Sequence, residues 1–396
     1  MQCSNFSYQS GNWVPLPRET TTCIKTPQLI LCFGKKQVIA QPEVYNSLRA
    51  EFVGAEIALC STAGEIAGDR CSTDSVVATG LHFESTRVET AIVSLPDFND
   101  SYEASVALFN KLPQADLIYV MVLSDGSLVN GTQLVKASNE VFGKKIPVTG
   151  GMAGDGANFK SSICGLNSVP SEGNILAIGF YGQHLNVTFG TGGGWKPFGS
   201  EHVITQSTSN RVYKIDGENA ISVYKRRFGS YVRHLPSSMF MYPLTFESQN
   251  SSVLVRGVLS FDEPTGAITF AGDIPTGSRV NFAKADFTAL IDAAQQATST
   301  ALAEINRPPD YVFIVSCVGR RLVLGPGVDE ELYFAKSMSG QNTAISGFYS
   351  YGEISPFNIE NEIHLHSQTF TLTCFMRQTN HSKTSIPRSA WSDRYN

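Results

Sequence analysis

The chain has 396 residues, of which 42% are hydrophobic and 16% charged, and it carries a formal net charge of −5. That length suits two or three domains with a substantial core. The acidic balance excludes nucleic acid as the main partner, because phosphate binding needs a clustered basic surface, and no apolar run reaches the ~18 residues a membrane-spanning helix needs.

Short apolar runs alternate with amphipathic segments. In chain order, QLILCF (28–33), EIALC (56–60), DLIYVMVL (116–123), NILAIGFY (174–181), DYVFIVSCV (310–318) and FTLTCF (370–375) predict strands, being rich in β-branched and aromatic residues. Tyr102, Val106 and Phe109 behind Asp100 predict a capped helix, and Leu134, Val141 and Phe142 a second. Ile221, Tyr224 and Phe228, closed by Gly229, predict a third, with Lys225, Arg226 and Arg227 at its C-terminal end. The longest helix is predicted from about Ala285 to Ile305, with a stripe of Phe287, Ile291, Ala294, Thr298, Leu302 and Ile305, and Pro308-Pro309 stops it. RVETAIVSL (87–95), EHVITQST (201–208) and RVYKID (211–216) suggest antiparallel strands with one wet face. The glycine-rich stretch 190–199 begins a junction between halves that runs to about Asp216. The expected fold is α/β to α+β, two related mixed-sheet domains with helices packed on the sheets and an internal pseudo-repeat.

Two similarities carry the repeat. ALCSTAGEIAG (58–68) and SGFYSYGEISP (346–356) both close a loop with Gly-Glu-Ile. DLIYVMVLSDG, followed by VTGGMAG, parallels DYVFIVSCVGR, followed by AISGFYSYG, with starts 194 and 196 residues apart. In the first loop, Ser61, Thr62, Ala63 and Gly64 offer converging amides and hydroxyls, with Glu65 as an acceptor. Donors beside a carboxylate suit a zwitterionic ligand. Tyr349, Tyr351, Gly352 and Glu353 repeat the arrangement, while the alternative is a pair of structural strand-end turns. Gly150 and Gly151 lie in a glycine-dense loop that is neither a P-loop nor a dinucleotide fingerprint. Asp125 and Asn130 read as a turn and the approach to a helix start. Cys317 and Arg320 could form an activated thiol, the basis of a Cys-dependent hydrolase or transferase, or a core thiol beside a carboxylate-binding arginine. No CxxC, HExxH or CxxCH occurs. His364 and His366 share one strand face about 7 Å apart, which can present one of them to a metal or haem iron. His234 is a looser candidate.

Taken together, CSTAGEIAG, LSDGSLVNGTQLV, VTGGMAGDGANF, SCVGRR, SGFYSYGEISP and LHSQTFTLT resemble the FIST family in its N-terminal to C-terminal domain order. The resemblance implies a FIST N-like domain over 25–215 and a FIST C-like domain over 216–378, between an N-terminal extension (1–24) and a C-terminal tail (379–396). It implies a non-enzymatic sensor of small ligands, with amino acids proposed for the family. It also implies likeness to stand-alone haem-binding nitric-oxide sensors that regulate a partner histidine kinase or diguanylate cyclase. Non-covalent haem b, with His366 or His364 on the iron, follows from that likeness alone. A sensor of an amino acid or similar polar metabolite without haem is the alternative. The scattered cysteines and the polar, aromatic first residues lead to an expected cytoplasmic location.

Overall fold

A computed structural model describes residues 1–16, 26–229, 241–247, 253–357 and 362–378. His234 and the tail from 379 lie outside the described residues. The chain is mixed α/β, and its repeat has three copies rather than two. The first comprises β1 (Gln2–Gln9), β2 (Asn12–Pro15), β3 (Leu29–Gly34), α1 (Lys36–Ile39), α2 (Pro42–Glu51), β4 (Glu56–Ser61), β5 (Glu65–Ala67), β6 (Arg70–Ser72) and β7 (Val76–His82). The second comprises β8 (Arg87–Ser94), α3 (Ser101–Asn110), β9 (Leu117–Ser124), α4 (Gly131–Phe142), β10 (Val148–Met152), β11 (Cys164–Leu166) and β12 (Asn174–Tyr181).

The third copy is interrupted. It opens with β13 (Leu185–Gly192) and then yields an insert of β14 (Lys196–Thr208), β15 (Arg211–Ile215), β16 (Glu218–Asn219), α5 (Ala220–Phe228), β17 (Leu244–Glu247), β18 (Val253–Arg256), β19 (Val258–Asp262), β20 (Ala267–Phe270) and β21 (Arg279–Lys284). It resumes with α6 (Phe287–Ala303), β22 (Tyr311–Cys317), α7 (Val318–Leu324), α8 (Asp329–Ser339), β23 (Ala344–Ser350), β24 (Gly352–Pro356), β25 (Ile363–His366) and β26 (Phe370–Arg377). The insert strands form a sheet of their own with a separate core around Tyr224, Phe270 and Phe282.

Each copy builds one sheet on the same plan. Two parallel strands, β3–β4, β9–β10 or β22–β23, are joined by helix; a return strand, β7, β12 or β26, runs antiparallel to the first; an outer strand, β1, β8 or β13, lies beyond it. A short strand then leaves for a neighbouring sheet. β5 leaves the first copy and pairs with β23, β24 leaves the third and pairs with β10, and β11 leaves the second and pairs with β4. The exchange is cyclic, so strands from both halves of the sequence share sheets.

The central strands are apolar along their whole length because both faces are buried. One set of alternating residues, including Phe33, Tyr119, Phe180, Phe313, Phe348 and Phe375, fills a core common to all three sheets. The other set packs under helices: Ile30 and Leu59 against α2, Val120 and Val122 against α3 and α4. Polar relays inside the core follow the same symmetry. Tyr119 meets Thr149, which meets Thr373; Tyr311 meets Ser346, which accepts from Thr79.

Glycines mark the closest approaches. Gly150 and Gly347 have φ of +152° and +159°, and a Cβ would stand 1.8 Å from the carbonyl oxygen of Val122 or Ile314. On β13 and just beyond, Gly190, Gly192 and Gly194 face the α6 backbone at Ala297, Ala293 and Ala289. Two strand residues advance about 6.6 Å and one helix turn of four residues about 6.0 Å, so glycine meets helix at each step. The buried face of α6 accordingly runs through Leu290, Ile291, Ala294, Ala297, Thr298 and Ala301, displaced from the predicted stripe toward its small residues, and Phe287 is 38% exposed.

Candidate functional site

The corners where strands leave one sheet for the next hold the Gly-Glu-Ile loops. Thr62 Oγ1 donates to Glu65 Oε1 at 2.6 Å, and Ser350 Oγ donates to Glu353 Oε1 at 2.7 Å. The second carboxylate oxygen holds the residue just before the return strand. Ser75 donates to Glu65 Oε2 through its N–H (3.2 Å) and hydroxyl (2.8 Å), with Ser72 Oγ at 3.4 Å. Thr369 donates to Glu353 Oε2 through its N–H (3.1 Å) and hydroxyl (2.8 Å). Burial raises the affinity of both carboxyls for a proton against the lowering effect of these donors, and it carries Glu353 up to about 7. The two glutamates are therefore latches, spent on internal donors, and the motif recurs because the corner recurs.

At the third corner the latch comes from another strand. Cys164 stands where β5 and β24 carry glutamate, by register against Cys60, and its thiol lies 3.9 Å from the Cys60 sulfur. Asp125, at the end of β9, accepts instead from Ser162 Oγ (2.7 Å), Ser127 N–H (2.6 Å), Leu128 N–H (3.2 Å) and Gly173 N–H (2.7 Å). Gly173 precedes the return strand β12 as Ser75 precedes β7.

The remaining predicted site residues are mostly engaged. Ser61 donates to Gly154 O and accepts from Ile163 N–H; Ala63 N–H donates to Tyr349 O; Gly64 N–H donates to Thr62 Oγ1. These amides thus have protein acceptors. Gly150 and Gly151 are buried within β10, and Gly352 pairs with Met152 in β24. Arg320 and Glu331, both fully buried, form an ion pair at 2.8 Å; Arg320 also donates to Gly193 O and Leu290 O, and Glu331 accepts from Ser316 and Tyr349. Burial foremost, then the Glu353 charge, pushes the Cys317 thiol well above the ordinary range, the reverse of what an activated nucleophile needs.

His364 and His366, the candidate iron ligands, lie two residues apart on β25 with ring centroids 6.1 Å apart. His366 Nε2 lies 2.9 Å from Ser355 O, an acceptor, so the ring proton sits there and occupies that nitrogen. Burial depresses His366 to about 3 and lowers His364 as well. Both rings pack against Phe357, His366 at 4.7 Å and His364 at 5.0 Å.

A cavity of about 310 Å³ opens beside the Asp125 corner, where the insert meets the core. The core supplies Gly126 to Asn130 after β9, Gly131 at the start of α4, Met152, Tyr351 and Leu365; the insert supplies Asn210, Arg211, Leu259 and Thr269 to Gly272. It lies at the carboxyl ends of the parallel strands β9 and β10, where α/β sheets bind ligands. Tyr351 is the predicted site residue that reaches it. The Tyr351 hydroxyl bonds Asp155, and its ring stacks on Phe159 at 4.6 Å.

Asn130 joins the two walls. Its Oδ1 caps α4 by accepting from Thr132 and Gln133 N–H, and its Nδ2 donates to Asp273 of the insert at 3.1 Å. Asp273 N–H returns a bond to Thr132 Oγ1 at 3.1 Å, and Gly257 N–H donates to Ser367 Oγ at 3.0 Å. Sequence reasoning placed Asn130 before a helix; Arg211 and the segment 269–272 carried no local signal, since only the insert's docking brings them to the cavity.

A FIST N domain matches residues 28–218 and a FIST C domain matches residues 220–356. Two uncharacterized proteins of Mycobacterium tuberculosis, from strains CDC 1551 / Oshkosh and ATCC 25618 / H37Rv, are each 30% identical over 111 residues, 28% of this chain. The chain spans 29% of the length of each of these relatives. No described helix is long and apolar enough to cross a membrane. The two domain matches follow one another in order along most of the chain, and it belongs to the FIST family, whose domains point to small-ligand sensing in signal transduction.

Proposed function

We propose that the protein is a non-enzymatic cytoplasmic sensor whose ligand, a small polar metabolite, binds in the cavity between insert and core. The observation that carries this is the composition of the cavity: nine of its lining residues belong to the core and seven to the insert, and Asn130 ties one to the other. A ligand there contacts both, so its binding free energy depends on how the insert is docked, which is the condition for shifting a conformational balance. The readout passes to a separate signalling protein, a histidine kinase or diguanylate cyclase by family resemblance. Haem is not part of this reading, because no histidine is among the residues lining this cavity, and the raised Cys317 thiol argues against nucleophilic catalysis.

The test is thermal unfolding of the full chain against a metabolite panel, alongside Leu259→Trp, which fills the cavity. A ligand at a hundred times its Kd adds about 2.7 kcal/mol, and the shift is expected in the wild type and absent in the variant. A ligand that stabilises both equally binds elsewhere and defeats the reading.

A further inference from the structure

The cavity's charge is one-sided, and that specifies the ligand. Resting on the reading above, we infer that the cavity takes a small carboxylate with an apolar body rather than a zwitterion. Among its lining residues there is no aspartate or glutamate, and there is one cation, Arg211. The Arg211 guanidinium is ion-paired to Asp262 through Nη2 at 2.6 Å and its Nε is sealed from solvent, which leaves the Nη1 end of the group for a ligand. Arginine's planar fork matches a carboxylate through two adjacent donors, and this fork is only partly used.

A second arginine stands behind the wall. Arg256 is 3% exposed. It donates to the carbonyl oxygens of Leu365 (3.0 Å), Val255 (3.1 Å) and Asp273 (3.4 Å), and no ion pair joins it to a described carboxylate. It abuts Gly272, a lining residue, where a Cβ would fall 2.6 Å from Arg256 Nε. Carbonyls orient this charge, and the carboxylates that act on it, Asp273 and Glu353, stand outside the lining. The first turn of α4 adds the positive end of its dipole at Gly131. Leu128, Met152, Phe270 and Leu365 add apolar surface to the lining. An ammonium group would find no carboxylate in this lining.

Three compounds with one carbon skeleton test the inference on the full-length protein: isocaproate, its neutral amide isocaproamide, and leucine. Titration calorimetry is expected to give isocaproate an affinity at least tenfold above the amide and above leucine. Arg211→Met is expected to bring the acid down to the amide's level, with unchanged far-UV circular dichroism. Should that variant misfold, Arg211→Lys, which keeps the charge but loses the fork, is expected to weaken the acid alone. Amide binding equal to acid, or leucine binding more tightly than both, overturns the carboxylate inference while leaving the cavity as a ligand site. If none of the three binds, the metabolite found in the panel decides: a neutral or cationic one overturns the inference, and a carboxylate that loses tenfold as its amide upholds it. A panel in which nothing distinguishes wild type from Leu259→Trp removes both readings together.

Discussion

Two corners of the molecule, at Glu65 and Glu353, are latched by the strand that crosses between sheets; the corner at Asp125 is latched from the parent strand. The first pair spends its loop on closure. The Asp125 corner has shifted its carboxylate to the β9 end, and the loop that follows, Gly126 to Asn130, is turned outward to line the cavity. A repeated motif thus marks where the fold needs closure, and the copy that departs from it lies beside the candidate site.

The largest effect that would probe this difference is Asp125→Ala. It strands four donors at once, each costing about 1–3 kcal/mol when left unmet. Unfolding in urea is expected to show a loss of about 4 kcal/mol or more, with the ligand response lost as well. Glu353→Ala removes the acceptor of two hydroxyls and one amide in a fully buried site; a loss of about 3 kcal/mol with ligand response retained in the surviving fold is expected on the same scale. Glu65→Ala is expected to cost less, about 1–2 kcal/mol, because Ser72 and Ser75 reach solvent and rehydrate. Equal losses at Asp125 and Glu65 would break the contrast.

The smallest effect is in pH dependence. Glu353 has its folded pKa raised from 4.5 to about 7, so its contribution to stability is full below pH 4.5 and is lost as pH rises to about 7. His366 has its folded pKa lowered from 6.5 to about 3, so its contribution is full above pH 6.5 and is lost as pH falls. Between pH 4.5 and 6.5 the two slopes oppose, each at most about 1.4 kcal/mol per pH unit. Glu353→Gln is expected to unmask the histidine slope, with urea midpoints falling from pH 6.5 to 5. A flat profile in that variant would show that His366 does not titrate as its burial requires.

Much of the fold was legible because its signals are local. The apolar runs appear as β3, β4, β9, β12, β22 and β26; Asp100 caps α3, accepting from Glu103 N–H; Gly229 ends α5. The repeat was visible as two separate likenesses, one joining the first and third copies and one the second and third, but not as a threefold plan. The crossing strands are three to five residues long and find their partners in another copy, a distance over which periodicity carries no information. The role of Glu65 and Glu353 was hidden for a related reason. Thr62 and Ser350 lie within the motif, whereas Ser75 and Thr369, which complete each latch, lie outside it and become neighbours only when the return strand is in place.

The cyclic trade of edge strands also bears on synthesis. Emerging from the ribosome, β10 waits without its neighbour until residues 352–356 have been made, and through that interval it presents open backbone groups of the sort that recruit foreign chains. A fragment ending at the boundary of the first domain match would keep that edge bare permanently, so it should precipitate where the whole chain stays dispersed.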